Sequence, residues 1–142
     1  MYDMAELAYT LTTVPANSQY LVVWDSSRIG DLPASAASEP APGTDRGRFA
    51  GMRVNLTIKN GDQDVTVAFR AMTNPSLATN SAFETDTNGP GGGSVTLAAN
   101  ATGMYSWLPF TNDHRVYVLA GANNPDSLVT TVNIVRDRNA GV

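Results

Sequence analysis

Residues 52–71 read MRVNLTIKNGDQDVTVAFRA, and this stretch decides the fold class. Over Met52–Asn60 every second residue is apolar (Met52, Val54, Leu56, Ile58), and Arg53, Asn55, Thr57 and Lys59 fill the alternate positions. A period of two aims one set of side chains inward and the other outward, the signature of a half-buried strand. Asn60-Gly61-Asp62-Gln63-Asp64 follows, a run of turn-forming residues. Val65, Val67, Phe69 and Ala71 then alternate with Thr66, Ala68 and Arg70. The two runs are expected to pair as a hairpin about the Asn60–Asp64 turn.

The same pattern recurs outward from this pair. Leu128, Thr130, Val132 and Ile134 alternate with Val129, Thr131, Asn133 and Val135, a strand apolar on both faces. Tyr20–Trp24 and Val116–Ala120 are short continuous apolar runs that fit central strands. Ser94–Ala98, Met104–Leu108 and Ala82–Thr85 are shorter candidates. Near the start, Leu7, Tyr9 and Leu11 alternate and Pro15 terminates, which favours a strand over a helix. Eight or nine strands at this spacing predict a single all-β domain over 1–142, an antiparallel β-sandwich of jelly-roll or immunoglobulin-like kind with long loops.

Composition agrees. The chain has 15 Thr, 12 Asn, 12 Gly and 8 Pro in 142 residues. Thr suits a pleated surface, and Asn, Gly and Pro serve turns. Two segments break the strand pattern: a Pro/Ala/Ser-rich arm or loop at 32–48, with Pro33, Pro40, Pro42, Arg46 and Arg48, and a Gly-rich loop at 73–93. Long segments of this kind are usually functional or disordered, and the arm is a candidate interface.

Charge and composition exclude several function classes. The net charge is −4, and the nine basic residues are scattered rather than clustered, which argues against a nucleic-acid partner. No stretch is long and apolar enough for a spanning helix, so no membrane partner is expected. There is no cysteine, hence no disulfide, thiolate nucleophile or Cys-ligated metal. Acids at Asp3 and Glu6 stand where a secretory leader carries positive charge, so the chain is expected to be made in a cytoplasm without a signal peptide.

No catalytic constellation emerges. The one histidine, His114, has no Gly-x-Ser-x-Gly element with which to build a triad, and a turn or strand-start role is expected. A single His cannot make a His/Cys metal cluster. Asn60, Asp62 and Asp64 have a spacing that suggests calcium, and Asp86 and Asn88 with the glycines after them are a second, weaker candidate, but neither stretch has the downstream bidentate Glu, and a solvated turn is the expected reading of the first. No catalytic residue, cofactor or metal is expected. Tyr105, Trp107 and Phe110 form an aromatic cluster. Such residues mostly serve a core or a subunit interface, and an exposed Tyr105/Trp107 pair would instead stack on a sugar.

In Val65–Arg70 (Val-Thr-Val-Ala-Phe-Arg) and in His114–Arg138, with Gly121-Ala122-Asn123-Asn124-Pro125 between its two strands, the chain resembles the small β-sandwich virion proteins of tailed bacteriophages. The likeness is to the capsid decoration, or cement, type in particular. That resemblance implies a non-enzymatic structural protein of the virion. Such a protein forms homo-oligomers, often trimers, and stabilises a capsid through contacts with capsid or other virion proteins. Pro33, Pro40, Pro42, Arg46, Arg48, Tyr105, Trp107 and Phe110 are the candidate interface residues. The alternatives are a phage tail, fibre or baseplate component, or a carbohydrate-binding sandwich.

Overall fold

Nine strands stack as two antiparallel sheets whose apolar faces meet. A computed structural model describes residues 6–25, 52–72, 83–108 and 114–136. The strands are β1 (Glu6–Leu11), β2 (Tyr20–Asp25), β3 (Met52–Asn60), β4 (Val65–Met72), β5 (Phe83–Thr85), β6 (Ser94–Leu97), β7 (Thr102–Trp107), β8 (His114–Ala120) and β9 (Leu128–Arg136). The first sheet has the order β1-β9-β3-β7. In the second, β2, β8 and β4 are neighbours, and β5 and β6 both pair with β4.

This order decides between the two expected sandwich types. Pairing is nested: β1 with β9, β2 with β8, β3 with β7, and β4 with β5 and β6. A chain folded in half and then wound into two sheets gives this pattern, which is that of the jelly roll. The fourth pair has a divided partner, because β5 opposes Arg70–Met72 and β6 opposes Val65–Ala68.

The expected hairpin between 52–60 and 65–71 does not form. β3 pairs with β7 and β9, whereas β4 pairs with β8, β5 and β6, so Asn60–Asp64 carries the chain from one sheet to the other. Alternation sets which side chains turn inward and leaves the pairing partner open. Here Val54, Leu56 and Ile58 face Val65, Val67 and Phe69 across the interior, all at 2% exposure or less.

Asn60 makes that crossing possible. The two hydrogens of its side-chain NH2 reach three carbonyls, those of Gln63 (2.7 Å), Leu97 (3.2 Å) and Ala98 (3.1 Å), one hydrogen being shared, and its Oδ1 accepts from the Gly61 N–H (2.9 Å). One buried carboxamide thus joins the end of β3 to the end of β6 in the opposite sheet. Gly61 is required beside it, since a Cβ there would lie 2.6 Å from the Ser127 carbonyl oxygen. Asp62 and Asp126 exchange hydrogen bonds from each other's N–H groups (3.1 and 2.8 Å), and Asp64 accepts from Ala99 N–H (2.9 Å).

Other strand expectations meet mixed outcomes. Tyr20–Trp24 lies in β2 at a sheet edge rather than centrally, although Leu21, Val22, Val23 and Trp24 are buried. Val116–Ala120 lies in β8, inside its sheet, and the two-faced Leu128–Val135 lies in β9 between β1 and β3. Within the expected 73–93 loop, Phe83–Thr85 forms β5 and Pro90–Gly92 a single 3-10 turn; 73–82 and the 32–48 arm lie outside the described residues.

Replacing Asn60 by Ala strips hydrogen bonds from three carbonyls in a buried corner. A loss of about 1–3 kcal/mol of unfolding free energy is expected in urea titration. Asn60→Asp is expected to cost more than Asn60→Ala, because an acceptor-only carboxylate would face the same carbonyl oxygens.

Candidate functional site

The chemistry-bearing side chains converge beside the gap between β5 and β6. Thr87–Gly92 forms an excursion that leaves β4 after Asp86 and returns at Gly93. Phe69 spans the gap: its N–H donates to the Gly93 carbonyl (2.8 Å), and its carbonyl accepts from Asp86 N–H (2.9 Å). The return needs glycine, as Gly93 sits at φ 101° and a Cβ there would meet the Asp86 carbonyl oxygen at 2.6 Å.

Asp86 points its carboxylate into the sandwich. Oδ2 accepts from the Trp107 indole N–H (3.0 Å) and lies 3.8 Å from His114 Nε2, and Oδ1 accepts from Asn88 N–H (3.0 Å). Trp107 comes from β7 of the first sheet and His114 from β8 of the second, so this carboxylate ties the two layers together. Around it the rings pack edge to face: Trp107 against Trp24 (5.9 Å between centroids), Phe69 (5.4 Å) and His114 (5.0 Å). Edge-to-face contacts of this sort add about 0.5–1.5 kcal/mol beyond the area they bury.

A His beside a carboxylate is half of a hydrolytic triad. Here the pair lies in the core: His114 is 7% exposed and abuts Trp107, as the first residue of β8. That matches the expected strand-start role. The sequence singles out Asp86 only as a weaker calcium candidate beside Asn88, and its bond to Trp107 was missed because it stands in a run of turn residues. The usable signal was indirect, since a buried indole N–H needs an acceptor and Trp107 was already a core candidate.

The remaining candidates are distributed as follows. Trp107 is 3% exposed, and Tyr105 is half-buried with its ring 5.8 Å from Phe69. The exposed Tyr105/Trp107 stacking platform is therefore not formed, because both rings fill the gap between the sheets. Pro33, Pro40, Pro42, Arg46, Arg48 and Phe110 lie outside the described residues. Oδ1 of each of Asn60, Asp62 and Asp64 accepts from a backbone N–H, of Gly61, Asp126 and Ala99 respectively. No group of three metal-ligating side chains occurs among the described residues. A hollow of about 300 Å³ opens at the β1–β2 connection, lined by Thr13, Val14, Pro15, Ala16, Gln19, Tyr20 and Leu21, with neither a carboxylate nor a cation among them.

Comparison with known proteins adds a fold relative. No family model and no curated protein matches the chain. A solved structure from work titled "Bacillus endospore appendages form a novel family of disulfide-linked pili" matches over 92% of this chain and 86% of that one, with a TM-score of 0.51 and 8% identity. The likeness is one of fold.

Trp107→Phe keeps an aromatic ring but removes both the N–H that bonds Asp86 and part of the buried indole; thermal or urea unfolding should show a loss of about 1–3 kcal/mol or more. Burial pushes the Tyr105 phenol above its ordinary value. A raised folded-state value means that this contribution is intact below the ordinary tyrosine range and is lost as pH rises through the shifted one. Alkaline unfolding of Tyr105→Phe should accordingly show a shallower decline with pH than that of the parent chain.

Proposed function

We propose that this chain is a non-enzymatic structural subunit that works by packing against other subunits, and that its particular role is to decorate and stabilise a bacteriophage capsid. The observation that carries the reading is the sheet order. A jelly roll gives a rigid two-layer body, and this architecture recurs in viral shells. Its sheets end in edge strands. The outer edges of β1, β7 and β2 have no partner strand among the described residues. Open edges of this kind accept an added strand from a neighbour. The polar groups that could have served catalysis, Asp86 and His114, are instead used to hold the layers together.

The fold likeness to a pilus subunit favours a second form of the same role, a subunit of a filament. The 8% identity supports the architecture and leaves the choice between shell and filament to experiment. Either way the bonding differs from that of the relative in one respect. Those pili are disulfide-linked, and this chain has no cysteine with which to form such a link.

The test is solution mass by light scattering across a concentration series, followed by co-sedimentation with phage capsids and electron microscopy of concentrated samples. The expected result is a multiple of 15.0 kDa that reductant does not alter, with a trimer expected for a capsid decoration protein. Saturable capsid binding would support decoration, and open-ended fibres would support the filament form. A chain that stays monomeric and binds no capsid would overturn the proposal.

A further inference from the structure

The outer face of the first sheet carries a continuous uncharged field. Its two central rows run across all four strands. One is Thr10, Thr131, Thr57 and Met104; the other is Ala8, Asn133, Asn55 and Ser106, each opposite the next in register. All of them are exposed except Asn55, which is half-buried, and none carries a formal charge. Charge appears only beyond these rows, with Arg53, bonded to Ser106 Oγ at 2.9 Å, at one end and Lys59 at the other. Met104 is 79% exposed and is the large apolar side chain most open to solvent among the described residues. Beside it is a hollow of about 210 Å³, lined by Asn55, Leu56, Thr57, Met104, Tyr105 and Ser106.

We propose that this face is a contact between copies of the chain, in which Met104 of each subunit seats in the hollow beside Met104 of the other. A projecting side chain next to its own receptacle is self-complementary under a two-fold axis, as an isologous interface requires. Methionine suits the task, since its unbranched, polarisable side chain fills irregular gaps. Charge argues for the same occupant. Two copies each carrying a net −4 repel, and an uncharged patch of hydroxyls and carboxamides is where they approach without opposed charges. Four strands about 4.8 Å apart and five residues at about 3.4 Å give a face of roughly 330 Å². A stable two-body complex buries about 800 Å² per partner, so this contact acts as one of several in a larger assembly. The inference therefore rests on the structural-subunit reading above.

The experiment is peroxide footprinting of the full chain, monomeric by dilution and then assembled, with peptide mapping of methionine sulfoxide. Met104 is expected to oxidise about tenfold more slowly in the assembly, because the seated sulfur is shielded. Thr57→Glu, which sets carboxylates against each other in the contact, should weaken association about tenfold or more. Thr96→Glu, exposed on β6 of the other sheet, should leave association as it was. A wild-type chain that never associates overturns both this inference and the structural-subunit reading. An assembly in which Met104 oxidises at the monomer's rate and Thr57→Glu associates normally overturns this inference alone.

Discussion

The carboxamide of Asn60 is the contact on which the sandwich depends. A chain that leaves one sheet and enters the opposing one must turn through the interior's edge, where backbone carbonyls lose water without gaining ladder partners. The two amide hydrogens of Asn60 reach three of them, one hydrogen being shared, and its oxygen accepts from the next residue's N–H. Only a side chain with both functions at one terminus can do this. With the corner satisfied, β3 and β4 present their apolar faces to each other rather than lying side by side.

Toward the other end of the sandwich the closure is made by aromatic rings and a carboxylate. Asp86 accepts the Trp107 indole proton, and Trp24, Phe69 and His114 surround that indole. Asp86 directly follows β5, its N–H still bonded to the Phe69 carbonyl (2.9 Å), and the chain turns away from β4 only after it. The Tyr9 hydroxyl adds a further tie between layers by donating to the Val23 carbonyl (2.9 Å).

Much of this was legible in the sequence. Alternation at Val54–Ile58 and Val65–Phe69 located the strands and their inward faces, because burial acts on each residue locally. Sheet membership was not legible. A turn such as Asn60–Asp64 serves a hairpin or a sheet crossing equally well, and the deciding contacts, to Leu97 and Ala98, lie about forty positions along the chain. The same holds for Asp86. Its partners, Trp107 and His114, are set by how the sheets stack, and no local pattern encodes that. The uncharged outer face of the first sheet escaped notice for a related reason: Thr10, Thr131 and Thr57 are ordinary strand residues until register aligns them in one row.

The nested pairing also governs the order in which the molecule is made. Thr10 and Thr131 meet across a separation of 121 residues, and among the described residues β1 pairs in its sheet with β9 alone. Such long-range pairing loses a large amount of chain entropy before any contact compensates for it, which places folding in the slow, millisecond-to-second class. On the ribosome β1 is exposed throughout synthesis of the strands between, with its ladder groups bare. A subunit of this design therefore passes through a stage in which its own first strand is free to pair with a neighbouring chain.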